Sequence, residues 1–139
     1  MNKILVIGSG AREHAVVRAL SRSYQKIDVS CLASNMNPGI VELCDELIVG
    51  NINDPDFVVS YANETGATLA IIGPENPLAN GVADALWEAG VKVVGPKKDL
   101  AQLETSKAFT RDLLKAYDIP GGPKYETFSS MDGVAEFLN

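Results

Sequence analysis

The chain is poor in the residues that metal, redox and disulfide sites need. Its 139 residues include one histidine and two cysteines, Cys31 and Cys44, which form no C-x-x-C pair. This spacing gives no support to a zinc or redox site, and it fits a reduced, cytoplasmic setting. Cys31 lies in a strand-like run and is predicted to be a small buried apolar residue.

Long apolar runs and an excess of basic residues are also absent. No run approaches the roughly 18 residues of a membrane span, and no leader precedes the first strand, so neither membrane insertion nor export is expected. Lys and Arg number 12 against 18 Asp and Glu, a net charge of −6 without a basic stripe. Duplex nucleic acid is therefore a poor candidate partner. A local phosphate site is compatible with this charge, because backbone amides at a helix start can supply it.

What the chain does contain is an alternation of short apolar strands and helices. Strands are predicted at Ile4–Ile7, Ile27–Leu32, Leu47–Val49, Thr68–Ile72 and Val91–Val94. Helices are predicted over Glu13–Arg22, from Asp54-Pro55 to about Glu64, and from Asn76-Pro77 to Ala89, and a loop is predicted over Ser34–Gly39. This order predicts the fold class α/β, with an open, mostly parallel sheet and helices on both faces.

The first strand leads into the most informative motif, Gly8-Ser9-Gly10-Ala11-Arg12-Glu13-His14. A strand that turns through glycines into a helix brings unpaired amides and the positive end of the helix dipole to one point, which favours an anion. Arg12 adds a forked donor for phosphate oxygens. Glu13 suits the dipole and can accept a hydrogen bond from an amine or hydroxyl. A lone histidine is more often structural than catalytic, and no catalytic residue is assigned.

The glycine spacing resembles a dinucleotide fingerprint only in part. Gly8-x-Gly10 fits its first two positions, but Glu13 stands where the third glycine normally allows close helix–strand packing. The fingerprint also has an acidic residue after the second strand, and the segment Leu32–Asn35 contains none. Both departures count against a nicotinamide or flavin dinucleotide and favour a smaller phosphate ester.

A second motif, Gly73-Pro74-Glu75-Asn76-Pro77-Leu78, follows the fourth strand. Ligands of open α/β sheets bind beyond the carboxyl ends of the strands, so this loop and the Gly8 loop can face one crevice. The prolines make a rigid turn in which Glu75 can orient a hydroxyl or an amine. The alternative is a helix cap with a solvent-facing Glu75.

After Gly95-Pro96 the strand–helix alternation stops. A helix is predicted from Lys97 almost to Tyr117, with a break near 104–106, followed by a linker over 118–124, a short strand at 125–128 and a last helix opened by Ser129. The segment Leu103–Phe109 contains Lys107, which on its own reads as a solvated charge. The segment 105–139 has too few apolar residues for a core of its own and is predicted to be the truncated start of a further domain.

Taken in order, these motifs resemble the N-terminal part of the phosphoribosylamine–glycine ligase family, also called glycinamide ribonucleotide synthetases, within the ATP-grasp superfamily. The motifs that carry the resemblance are Gly8–Ala15, Gly73–Leu78, Gly95-Pro96 and Gln102–Phe109. The resemblance implies that residues 1–104 form a Rossmann-like, pre-ATP-grasp substrate domain and that 105–139 begin a truncated ATP-grasp domain. It also implies a reaction of ATP, glycine and 5-phosphoribosylamine that gives glycinamide ribonucleotide, ADP and phosphate in purine biosynthesis.

The resemblance also implies roles for individual residues. Gly8, Ser9, Gly10, Ala11, Arg12 and Glu13 would face the ribosyl phosphate, and Gly73, Pro74, Glu75 and Pro77 would form the opposite wall. Lys107 matches a lysine that reaches nucleotide phosphates in ATP-grasp enzymes. ATP and Mg²⁺ (or Mn²⁺) are implied for the full-length enzyme, with the remaining ATP-grasp domains as partners. The 139-residue chain alone is expected to be inactive, to bind no cofactor and to hold no metal ligands.

Two departures from the family pattern carry structural expectations. Ala11 stands where the family usually has a glycine, and if that position needs a positive φ the alanine costs roughly 1 kcal/mol. The segment Ser34–Gly39 replaces the family's usual Pro-Gly-Asn-x-Gly loop. Two other functions stay open at this point, namely a stand-alone sugar-phosphate-binding module and a dinucleotide-dependent oxidoreductase domain.

Overall fold

The computed structural model describes residues 2–138 of the chain. These residues divide into two compact units, of which the first ends at Ala101 and the second begins at Gln102. Each unit is described by itself below. Within residues 2–138, no helix combines the length and the apolar character that a membrane span requires.

The first unit contains five strands, and each strand is followed by one or two helices. The strands are β1 Asn2–Ile7, β2 Ile27–Ala33, β3 Glu46–Val49, β4 Leu69–Ile72 and β5 Lys92–Val94. The helices are α1 Ala11–Ser21, α2 Pro38–Val41, α3 Pro55–Thr65, α4 Glu75–Ala79, α5 Val82–Glu88 and α6 Lys98–Thr105, the last of which contains the division between the units. The second unit continues with α7 Lys107–Ala116 and α8 Val134–Leu138.

All five strands are parallel and form one sheet in the order β3-β2-β1-β4-β5. The predicted open, parallel α/β sheet is therefore confirmed. The chain first moves outward from β1 to β3, and then β4 returns to the other side of β1. The order thus reverses between β1 and β4, and in open α/β sheets the crevice at such a reversal is where ligands bind.

The central strand β1 is apolar throughout its second half because helices cover both of its faces. Leu5 and Ile7 pack into one core cluster together with residues of α3 and α5. Ile4 and Val6 point to the opposite face and pack with residues of α1 and α2. Because side chains alternate along a strand, a continuous apolar run supplies both cores at once.

Two local predictions are confirmed in detail. Asp54 caps α3 by accepting hydrogen bonds from the amides of Asp56 and Phe57, and Gly66 ends the helix in the left-handed conformation with φ +69°. Cys31 is fully buried in the core cluster beside α1 and α2, and this burial raises the pKa of its thiol.

The loop predicted over Ser34–Gly39 is wrong in its second half. Pro38 begins the short helix α2, and the Asn37 side chain caps it by accepting from the amides of Gly39 and Ile40. Helix α2 begins here for the same reason as α3: an Asn or Asp cap is followed by proline at the first helical position.

The single helix predicted from Asn76-Pro77 to Ala89 is also wrong. The helix begins one residue earlier than Asn76, at Glu75, so Pro77 lies in its first turn, where a missing amide costs no helical hydrogen bond. Gly81, with φ +82°, then interrupts the helix and separates α4 from α5. The glycine takes a backbone conformation that other residues rarely adopt.

In the second unit, the predicted helix break is confirmed at Ser106, between α6 and α7. The strand predicted at 125–128 is wrong, because this segment pairs with no strand in the described part of the chain. The last helix begins at Val134 and not near Ser129, since Ser130 and Asp132 hydrogen-bond to each other in a turn that Gly133 extends with φ +82°.

The α3 cap offers a test of this local analysis. We expect Asp54→Ala to lower the free energy of unfolding by about 1 kcal/mol, because two helix amides lose their acceptor. Asp54→Asn is the matched control, since its amide oxygen can accept the same bonds. Chemical unfolding of the two variants would contradict the cap if both lost the same stability.

Candidate functional site

The reversal between β1 and β4 brings the two sequence-predicted loops side by side. The Gly8 amide donates to the Leu32 carbonyl at 2.9 Å, and the Gly73 amide donates to the Ile7 carbonyl at 3.1 Å. The first residue of each loop therefore still forms a backbone hydrogen bond to a neighbouring strand. The loops after β1 and β4 share the carboxyl edge of the sheet, as predicted from their positions in the sequence.

The glycine loop turns sharply and then enters α1. Gly8 has φ +123°, a conformation that favours glycine, and Gly10 is the N-cap. Ala11 is the first helical residue, and the only non-glycine residue with a positive φ in residues 2–138 is Asp118. The alanine therefore needs no strained backbone, and this departure from the family pattern is mild.

Arg12 reaches from the first turn of α1 to the neighbouring loop. One guanidinium nitrogen donates a hydrogen bond to the Gly73 carbonyl oxygen, and the side chain is exposed. A guanidinium has five N–H donors, so this contact fixes its position and uses only one donor toward the loop. The arrangement places a forked cation at the junction of the two loops, where it can bind an anion.

Glu13 points in the opposite direction, into the protein. Its side chain is 4% exposed, and its Oε2 accepts a hydrogen bond from the Gly10 amide at 2.6 Å. The carboxylate also lies against Gly73, because a Cβ built on that glycine would be 1.9 Å from Glu13 Oε1. A Cβ on Gly8 would be 2.7 Å from Glu13 Cγ. Three glycines thus make the space that this side chain fills.

The loop after β4 presents Glu75 from a rigid support. Glu75 is exposed and is the first residue of α4, with Pro74 as the half-buried N-cap. Pro77, two residues later, is fully buried in the core. Proline restricts the backbone on either side of Glu75. The backbone position from which the Glu75 side chain extends is therefore well defined at the edge of the crevice.

A third loop, after β2, joins the glycine loop and was not among the predicted site segments. Ser34 Oγ lies 2.9 Å from Ser9 Oγ, and Asn37 Nδ2 donates to the Ser9 carbonyl at 2.9 Å. The Asn37 side chain therefore holds the glycine loop with its nitrogen and caps α2 with its oxygen. The signal that could have identified it is Asn37-Pro38, a helix start at the carboxyl end of a strand adjacent to β1.

His14 lies where α1 meets α2. A Cβ built on Gly39 would be 2.6 Å from both Cε1 and Nε2 of the imidazole, so the ring lies directly over this glycine. The contact gives His14 a packing role between two helices. It also explains why glycine follows the proline that starts α2.

In the second unit, Lys107 is exposed at the start of α7, after the N-cap Ser106, whose hydroxyl accepts from the Phe109 amide. Lys107 and Arg111 line one hollow of about 420 Å³ together with Pro123 and the segment 125–128, which includes Glu126. The Tyr125 hydroxyl donates to Asp112 Oδ1 at 2.8 Å, and this bond raises the pKa of the tyrosine. Residues four apart on a helix share one face, so the two cations can serve one anion.

Comparisons with known proteins agree on the kind of domain. The family model described as phosphoribosylglycinamide synthetase, N domain, matches residues 2–104. The phosphoribosylamine–glycine ligase of Methanosarcina barkeri is 43% identical over 98% of this chain. That of Methanococcus vannielii is 47% identical over 99% of this chain. In both cases the chain spans 31% of the relative's length.

Among solved structures, the N5-carboxyaminoimidazole synthetase of Staphylococcus aureus, complexed with ADP, superimposes with a TM-score of 0.75. The match covers 99% of this chain and 35% of that protein at 14% identity. At such low identity the similarity shows the fold alone. The fold of this chain therefore also occurs as part of a longer protein.

The packing of Glu13 against Gly73 can be tested by a double-mutant cycle. We expect Gly73→Ala to lower the free energy of unfolding by about 1–3 kcal/mol, because the new methyl group overlaps the carboxylate. In a Glu13→Ala background the same change should cost less by at least about 0.5 kcal/mol, since the overlapping group is gone. Additive losses in thermal or chemical unfolding would show that the two residues do not touch.

Proposed function

This chain belongs to the phosphoribosylglycinamide synthetase N-domain family, and from that premise we propose that it forms the substrate side of a phosphoribosylamine–glycine ligase. In the proposed reaction, ATP phosphorylates the glycine carboxylate and the amine of 5-phosphoribosylamine displaces the phosphate. The products are glycinamide ribonucleotide, ADP and phosphate. The observation that carries the proposal is the similarity of nearly the whole chain to ligases of this name.

The crevice between the loops after β1 and β4 is the proposed site for the ribosyl phosphate. Gly8, Ser9 and Gly10 bring the backbone close, and Ala11 and Arg12 begin a helix whose first amides have no partner within the helix. The exposed guanidinium of Arg12 adds a forked donor for phosphate oxygens. The chain's net charge of −6 is no obstacle, because these donors act locally.

The loop after β4 forms the opposite wall in this proposal. Gly73 offers its carbonyl to Arg12, and Pro74 and Pro77 fix the start of α4. Glu75 is exposed at that start and can accept hydrogen bonds from an amine or from ribose hydroxyls. Glu13 belongs to the site through the loops that it holds, since its carboxylate is buried between them.

We place the nucleotide site in the second unit and in further domains of a longer protein. Lys107 shares its hollow with Arg111, which supports a role in binding nucleotide phosphates. Mg²⁺ (or Mn²⁺) would accompany the nucleotide, held by carboxylates of the further domains together with the phosphates. When bound, ATP would supply the phosphoryl group. The free cysteines support a reducing, cytoplasmic setting.

The first test concerns the 139-residue chain alone. We expect no release of ADP when it is supplied with ATP, Mg²⁺, glycine and 5-phosphoribosylamine, because it spans 31% of the ligases that it resembles. The longer protein that carries this chain should release ADP only when both co-substrates are present. ADP release by the short chain would overturn its proposed dependence on further domains. The absence of co-substrate-dependent release by the longer protein would overturn the ligase itself.

The second test separates the two proposed anion sites. In the longer ligase, Arg12→Ala should raise the KM for phosphoribosylamine by about tenfold or more, because a charge-assisted hydrogen bond is lost, and should leave the KM for ATP unchanged. Lys107→Ala should do the reverse. Each variant is the control for the other, and Arg18→Ala, an exposed arginine later on α1, should change neither value. The assignment fails if both variants raise the same KM.

A further inference from the structure

Glu13 is the one buried charged side chain within residues 2–138, with 4% of its surface exposed. A buried carboxylate is costly unless it is hydrogen-bonded, and here the Gly10 amide supplies a short bond to Oε2. The position is also favourable electrostatically, because Glu13 lies in the first turn of α1, near the positive end of the helix dipole. The hydrogen bond and the helix dipole both stabilise the carboxylate inside the protein.

The surroundings of Glu13 fix its place between two loops. On one side it contacts Gly8 and Gly10 of the glycine loop, and on the other it contacts Gly73 of the loop after β4. At Gly73 no side chain could be added unless Glu13 moved, because a Cβ would lie only 1.9 Å from Oε1. The side chain thus acts as a spacer whose length sets the separation of the loops at the carboxyl edge of β1 and β4.

The same carboxylate changes what the glycine loop can bind. In a dinucleotide fingerprint the third glycine lets the helix and strand approach, and the pyrophosphate lies over the helix start. Here Glu13 stands at that third position, takes the Gly10 amide and puts a negative charge beneath the loop. A pyrophosphate would compete for that amide and would meet a like charge. A single phosphate can bind outside the loop, to the Arg12 side chain and to the backbone amides that follow Gly10. Such a phosphate does not need the Gly10 amide.

We propose that Glu13 is a positioning and specificity-determining residue that spaces the Gly8 and Gly73 loops and closes the glycine loop to pyrophosphates without touching the ligand. The identity of the accepted ligand, a ribosyl phosphate, rests on the proposed function. The spacing and the exclusion rest only on the contacts of Glu13.

The test uses the ¹⁵N-labelled 139-residue chain, with ribose 5-phosphate and NAD as separate probes. The variants are Glu13→Gln, which keeps the length and one acceptor oxygen, and Glu13→Ala, which removes both. Glu88→Gln, an exposed glutamate at the end of α5, is the control for the loss of a charge. An unchanged Gly66 amide signal, remote from the loops, would show that a variant remains folded.

We expect the Gly10 and Gly73 amide signals to move in both Glu13 variants and not in Glu88→Gln. Ribose 5-phosphate should bind Glu13→Gln within about threefold of the parent chain and Glu13→Ala about tenfold more weakly, since glutamine preserves the spacing. NAD should shift the Gly8 and Gly10 amides of Glu13→Ala and leave those of the parent unchanged.

Three results would overturn the inference. If Glu13→Gln bound ribose 5-phosphate as weakly as Glu13→Ala, the charge itself would contact the ligand. If NAD shifted the loop amides of the parent, or of no variant, Glu13 would not be what excludes a pyrophosphate. A parent chain that showed no shifts with ribose 5-phosphate would overturn the proposed ligand site instead, and the NAD comparison would still decide the role of Glu13.

Discussion

The parallel pairing of β1 with β4 is the constraint on which the proposed ligand site depends. It places the ends of two strands that are far apart in the sequence at neighbouring points, so that Gly8 and Gly73 begin their loops side by side. Everything else in the crevice follows from that adjacency. Arg12 can reach the Gly73 carbonyl, and Glu13 can fill the space beneath it, only because α1 starts directly beside β4.

The two charged residues in the first turn of α1 have different roles in the proposed anion site. Arg12 is exposed and presents its remaining donors at the junction of the loops, whereas Glu13 is buried and bonds to the loop backbone. Successive residues on a helix point about 100° apart, so neighbours in sequence can face solvent and core. An acidic residue beneath an anion site is tolerable because it stabilises the protein's own amide and the helix dipole, while the outward-facing donors stay available.

The sequence predicted the sheet well because its signals are local and redundant. Short apolar runs identified all five strands, and Asp54-Pro55 with Gly66 located α3 to within a residue at each end. The failures have equally specific causes. The start of α2 depends on the Asn37 cap and Pro38, which lie within a run of residues typical of loops. The break at Gly81 depends on one glycine within a segment that otherwise has a helical pattern.

Within the candidate site, the sequence could not predict the direction in which the Glu13 side chain points. The pattern placed Glu13 at the third fingerprint position, but whether its carboxylate faced a ligand or the core depended on Gly73, sixty residues later along the chain. Side-chain orientation at such a point is decided by tertiary packing, because only the assembled sheet shows that Gly73 leaves room for it. The same argument explains why Asn37 was missed, since its bond to the Ser9 carbonyl joins loops from two different strands.

A shared fold leaves open which ligand each protein that has it binds, so specificity must come from the loops at the carboxyl edge. Compared with a dinucleotide fingerprint, Glu13 adds both volume and charge at the position of the third glycine. Replacing a glycine by glutamate at the third position fills the contact zone between helix and strand, and the protein accommodates it by placing glycine opposite, at Gly73. The two positions are complementary, because a side chain at Gly73 and a glutamate at position 13 exclude each other. The proposed selectivity of this glycine-rich loop therefore depends on a contact between α1 and the loop after β4, which neither sequence motif contains by itself.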